Sequence, residues 1–193
     1  MQKPQDRRKI SVYDMVVVGL LSAMIFVATL FLRIPISTPT GPTQLKIANG
    51  LCLLFAILFG KWRGGLAAGL GSMFFDLFSE YIDSAPFTLI NFFLMAFVCG
   101  LIAHSGGAGG KGRVRNLVAA ILGAATYLVL YFSKQVITVM LLGSAFVPAV
   151  LANLPKLATS SINAVFAVIV AAVLGPILRR ELEKAGVFRR LGQ

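Results

Sequence analysis

The stretch IANGLCLLFAILFG (residues 47–60), KWRGG (61–65) and LAAGLGSMFFD (66–76) decides the fold. Two apolar runs flank a short segment in which glycines surround Lys61 and Arg63. A bilayer core of about 30 Å needs about 20 helical residues. Each run reaches that length if Lys46 snorkels at one end and Asp76 is taken inside the second helix. The reading is two membrane helices, at about 44–59 and 66–81, joined by a tight basic turn at 60–65.

The same pattern continues outward in both directions. Uncharged runs cover Met15–Leu32, Ser84–Gly110, Asn116–Ser133, Gln135–Pro155 and Leu157–Leu178. They place further helices at about Val12–Leu32, Phe87–His104, Asn116–Leu142 and Val150–Leu178. Three prolines and a glycine between Arg33 and Thr43 forbid a continuous helix and predict a loop. The Gly-rich segment 105–112 reads as a linker. The composition agrees, with 58% hydrophobic and 13% charged residues, against about 25% charged in soluble domains. The expectation is an all-α membrane protein of six transmembrane helices, forming one domain over residues 1–193.

Lys3, Arg7, Arg8 and Lys9 precede the first apolar run, as in a signal peptide. That run is longer than an ordinary signal core and no small-x-small site ends it, so it reads as a retained helix. Cys52 and Cys99 fall inside apolar spans, towards opposite faces, and read as small buried residues rather than a disulfide or metal site.

The net charge is +11. The basic residues flank apolar spans, so topology accounts for them better than nucleic acid does. Six spans put 14 of the 18 basic residues on one side, in the N-terminus, the 60–65 turn, the 105–115 linker and the C-terminal tail. The positive-inside rule then makes both ends cytoplasmic, with a basic N-terminus at 1–11 and a basic tail at 179–193. Arg33, Lys46, Lys134 and Lys156 are the four basic residues left on the outer side.

The helical rise of about 1.5 Å per residue sets approximate depths. Asp76 and Asn91 lie in the outer third, with Tyr81 at the outer end of its helix. Lys46 and Asn49 open the second helix at the same level. Tyr131, Lys134 and Gln135 sit high on the fifth helix, and Asn153 and Lys156 near the outer start of the sixth. Below them the chain is apolar or small, with Tyr127 and Asn163 as midplane exceptions. The pattern describes a cup open to the outside, because a channel needs polar lining through the whole thickness. Each residue also has a plainer reading. The lysines snorkel to headgroups, Asp76 pairs with one of them, Asn91 and Asn153 bridge helices, and Tyr81 joins the aromatic belt. Convergence favours a binding site, since ionisable groups inside membranes are costly and tend to be functional.

Motifs for ATP hydrolysis and for zinc or serine hydrolases are absent. His104 is the single histidine and reads as interfacial. No enzymatic activity and no cofactor are expected. On the first helix, Gly19 and Ala23 share a face beside Ser22 and allow close helix approach.

Taken together, Gly19-x-x-x-Ala23, the loop 33–43, the 58–72 junction followed by Asp76, and Ala85-Pro-Phe-Thr88 resemble the substrate-binding S component of energy-coupling factor (ECF) vitamin transporters. The resemblance covers about residues 10–180. It implies a multi-pass protein of a prokaryotic cytoplasmic membrane that binds a water-soluble vitamin at the outer face, under the loop after helix 1. It implies docking through Gly19, Ser22 and Ala23 on a membrane coupling subunit driven by two ATPase subunits. The residues named for the substrate are Lys46, Asn49, Asp76, Tyr81, Asn91, Tyr131, Lys134, Gln135, Asn153 and Lys156. Riboflavin-like molecules, hydroxymethylpyrimidine and cobalamin stay open as cargo, and the mixed charge of the rim leans towards cobalamin. The competing reading is a self-sufficient small secondary transporter or channel.

Overall fold

The computed structural model describes residues 11–38 and 40–190. The basic cluster Lys3, Arg7, Arg8 and Lys9 and the end of the tail at 191–193 lie outside the described residues.

Helix α1 (Val12–Phe31) begins at Ser11, which with Asp14 forms a capping box. The Ser11 side chain accepts from the chain ahead of it, while Asp14 accepts the Ser11 amide. Asp14 also pairs with Arg63 at 2.7 Å, tying the start of α1 to the basic turn.

The predicted loop after α1 is instead a hairpin of β1 (Arg33–Thr38) and β2 (Gly41–Lys46), antiparallel, with Arg33 opposite Lys46 and Thr38 opposite Gly41. Prolines forbid helix but are tolerated in edge strands, and both strands of a two-stranded sheet are edges. Ile34, Ile36, Thr38 and Thr43 supply the β-branched residues that favour strands. Lys46 therefore closes β2 rather than opening a helix.

Helix α2 (Ala48–Leu77) contains both halves of the decisive stretch. Gly60 breaks it, at φ 86° and ψ 176°, a conformation open only to glycine. The arms fold back on each other: a Cβ on Gly64 would lie 2.5 Å from the Ala56 Cα, eight residues earlier. A straight helix would separate those residues by about 12 Å. The expected reversal is present, turning sharply at Gly60 rather than through a loop over 60–65.

A 3₁₀ turn (Ile82–Ser84) leads into α3 (Ala85–Ala103), with Pro86 in its first turn. A glycine-rich turn leads to α4 (Arg113–Leu141). A short helix that the sequence did not indicate, α5 (Phe146–Ala152), precedes α6 (Leu154–Lys184). α6 runs beyond Leu178 into the basic tail, which ends in α7 (Val187–Arg190). Phe188 of α7 is buried against Phe59 and under the Arg179 guanidinium.

The first arm of α2 is the axis of the bundle. Residues 52–60 are all buried, and α2 packs on α1, α3 and α6. Small residues permit this: Ala56, Ala96, Cys99, Ala120 and Ala167 are almost fully enclosed. Cys99 points its thiol at the Leu53 carbonyl, so the two cysteines lie nearer in level than expected; both are unbridged. Outward faces carry exposed Val, Leu, Ile and Phe along every long helix. Among the described residues, five helices are long and apolar enough to cross a membrane, α2 being counted once despite its fold. The protein is thus a mostly helical, multi-pass membrane protein.

Candidate substrate-binding site

The polar side chains of α6 form one stripe: Asn153, Lys156, Ser160 and Asn163, at spacings of three and four, all buried. The hairpin lies along this stripe. At its tip, the Lys156 ammonium donates to the Thr40 carbonyl at 2.7 Å, and the Thr40 hydroxyl donates to Asn153 Oδ1 at 3.1 Å. At its root, Asn163 Oδ1 accepts the Lys46 amide at 2.8 Å and Asn163 Nδ2 donates to the Gln44 carbonyl at 2.8 Å. One carboxamide thereby takes the place of a third strand on the β2 edge, satisfying groups that would be costly to bury unpaired.

Helix α4 faces the hairpin with a second stripe. Tyr127 and Tyr131 stack at 5.7 Å between ring centroids, and Phe92 of α3 extends the series at 5.3 Å from Tyr127. Tyr131 lies near Thr43, Gln135 and Ser160. Gln135 Oε1 accepts from Lys156, and its carbonyl accepts from Asn153 Nδ2. Lys134 donates to the Ser84 hydroxyl at 3.0 Å and lies over the Phe87 ring.

On α2 and α3, Asp76 is 3% exposed and accepts the Thr88 hydroxyl. The plainer alternative for Asp76, a structural ion pair with a lysine, does not form. Lys46 and Lys134 act on Asp76 only through longer-range attraction, and the ion pairs among the described residues lie elsewhere. Asn49 and Asn91 are each 2% exposed; Asn91 Oδ1 has no hydrogen-bond partner, and Asn49 Nδ2 lies beside the Tyr127 hydroxyl without forming a well-aligned hydrogen bond. The Tyr81 hydroxyl is also enclosed; burial, and then Glu80 beside it, pushes its pKa up to about 12.

Residues from α2, α3, α4, α6 and the hairpin thus gather at one end of the bundle. The polar zone also includes Tyr127 and Asn163, the two residues read from the sequence as midplane exceptions. The sequence reasoning passed over Thr43, Thr88, Ser160 and the capping role of Asn163. The α6 stripe was the signal available for Ser160 and Asn163; nothing local marks Thr43.

Beneath this zone the bundle is filled with Leu53, Leu54, Met95, Cys99, Ala120, Ala124, Ala167 and Ala171. On α1, Gly19 and Ala23 are exposed, and a Cβ on Gly19 would meet nothing within 4 Å. Ser22 turns inward: it is buried and its hydroxyl donates to the Val18 carbonyl at 2.8 Å. It packs inside the molecule, because the Ser22 carbonyl lies where Gly71 of α2 comes closest. A groove of about 1380 Å3 between α1 and the second arm of α2 is lined by Gly19, Ala23 and the edge of Ser22, and by none of the clustered polar residues. At the opposite end His104 points Nε2 at the Ile57 carbonyl, 2.9 Å away, and burial holds its pKa below the ordinary value.

The chain has known relatives. A family model described as "ECF-type riboflavin transporter, S component" matches residues 9–180. A protein of Pyrococcus woesei, described as an uncharacterized protein in the gap 3′ region, is 29% identical over 156 residues, covering 81% of this chain and 95% of the relative.

Proposed function

Because the chain belongs to the ECF-type riboflavin transporter S component family, a family of transporter subunits rather than enzymes, we propose that it binds a flat, water-soluble vitamin beneath the β1–β2 hairpin. It then delivers that vitamin to the cytoplasm with a membrane coupling subunit and two ATPase subunits. In this reading each arm of α2 spans the membrane, giving six spans with both termini cytoplasmic. The hairpin end faces outward.

The observation that carries the reading is the pair of enclosed, incompletely satisfied groups on α2 and α3. A buried polar atom without a partner is costly and uncommon in native structures. Asn91 offers a free acceptor and Asn49 a donor held only loosely, by the Tyr127 hydroxyl, below a hairpin strapped to α6 at both ends. A heterocycle with carbonyl and N–H groups on its edge would satisfy both, and the Phe92, Tyr127 and Tyr131 rings offer a face for stacking. Lys46, Asp76, Tyr131, Lys134, Gln135, Asn153 and Lys156 complete the site, with Tyr81 at its rim. These features and the family description favour a riboflavin-like cargo over cobalamin.

The apolar plug below the cup favours a subunit that needs a partner over a self-sufficient carrier. Gly19 and Ala23 then provide the docking face, with Ser22 supporting it from inside. Titrating riboflavin, hydroxymethylpyrimidine and cobalamin into the purified full chain tests the cargo. Saturable one-to-one binding of riboflavin is expected. Binding of cobalamin alone would overturn the assignment, and uptake by the lone chain in liposomes would overturn the subunit role.

A further inference from the structure

Arg33 and Lys46 stand directly opposite each other in the hairpin register. Like charges in that position repel and weaken a hairpin. Among the described residues, no carboxylate forms an ion pair with either of them. The Lys46 ammonium has no hydrogen-bond partner among the described residues; it lies over the Phe75 and Phe92 rings at 5.1 and 5.8 Å. The Arg33 guanidinium lies over the same Phe75 ring at 4.9 Å and reaches Gln44 Oε1 only at 3.5 Å. A ring attracts cations but cancels no charge.

The imbalance extends across the cup. Lys134 and Lys156 donate to neutral acceptors, and Asp76 is the one buried acidic residue at this end. Glu80 and Asp83 are exposed, and neither forms an ion pair with any of the four cations. Partly buried charge without compensation is disfavoured and marks function more often than structure. Arg33 and Lys46 also line a crevice of about 400 Å3 between the end of α1, the hairpin root and α6. The enclosed Tyr81 hydroxyl, beside Glu80, lies close enough to Arg33 to feel its charge.

We propose that Arg33 and Lys46 form an anion subsite at the hairpin root, and that the cargo carries a negatively charged group, a phosphate ester or a carboxylate, seated between them. The inference rests on the cup being the substrate site and adds the charge of the molecule it takes. A fork-shaped guanidinium and a compact ammonium together suit an oxyanion.

The test uses the full chain in nanodiscs of neutral lipid. Riboflavin, riboflavin 5′-phosphate and a flavin with a carboxymethyl side chain are titrated at constant ionic strength. At least one of the anionic flavins should bind tenfold or more tighter than riboflavin, and which one does so separates phosphate from carboxylate. Arg33→Gln should cut that preference to under threefold while leaving riboflavin affinity within twofold, and Lys46→Gln should cut the preference to the same extent. Equal binding of all three flavins, or a preference that survives both substitutions, overturns the subsite and leaves the vitamin-binding reading intact. Failure of every flavin to bind overturns the flavin assignment instead. The subsite is then judged by thermal unfolding in inorganic phosphate or acetate against chloride. Stabilisation by either anion that Arg33→Gln abolishes supports it, and no anion-specific stabilisation rejects it.

Discussion

Asn163, in the first third of α6, accepts the backbone N–H of Lys46, the last residue of the hairpin, at 2.8 Å. With the return bond to Gln44, this makes one side chain responsible for where the hairpin meets the bundle. The tip contact through Lys156 and Thr40 involves a charge and a turn. The root contact is neutral and paired on both sides, so the hairpin is expected to loosen from its tip and pivot at Asn163.

Replacing Asn163 with Ala should leave two backbone groups unsatisfied at a cost of about 1–2 kcal/mol. Ligand dissociation should accelerate roughly five- to thirty-fold, with association nearly unchanged. Stopped-flow measurement of both rates checks this; an unaltered dissociation rate would remove Asn163 from the closure of the site.

Asn91→Leu should act in opposite directions on two properties. It removes an enclosed acceptor that has no partner, so the ligand-free chain should gain about 1 kcal/mol of stability. Ligand affinity should fall about tenfold or more. Thermal unfolding with and without ligand separates the effects, and a loss of stability without ligand would show that Asn91 serves packing instead.

The Gly60→Ala variant forces a Cβ into a positive-φ conformation. A cost of about 1–2 kcal/mol is expected, visible as a lower melting temperature in detergent. Gly64→Leu should be worse, because the Ala56 backbone occupies the space that its side chain needs. Melting temperatures equal to that of the parent chain in both variants would contradict the fold-back of α2.

Trp at both Gly19 and Ala23 should abolish uptake by the assembled transporter while the purified chain retains its ligand affinity. Both positions are exposed, and Gly19 has open space around it, so folding should tolerate the change. Uptake that survives the double substitution would move the docking face elsewhere.

A charge-neutral change at Asp76 probes the cup from its other side. Asp76→Asn keeps a partner for the Thr88 hydroxyl but removes the attraction felt by Lys46 and Lys134. An anionic ligand should bind more tightly to this variant and a neutral one no better. Calorimetric titration of the two flavin types reads the difference directly.

The sequence by itself determined the membrane character, the positions of the apolar helices, the reversal at residues 60–65 and most of the polar residues that meet. Hydropathy and glycine chemistry act within a turn or two of chain, so a linear reading captures them. Only the tertiary structure decided that the proline-rich segment pairs with itself as a hairpin, that Asn163 seals its edge, that Ser22 faces inward, and that Asp76 takes a hydroxyl rather than a lysine. Strand pairing and hydrogen-bond choice depend on which surfaces the packing brings together. Small residues such as Ala56, Gly64 and Gly71 set that packing by how closely they let backbones approach.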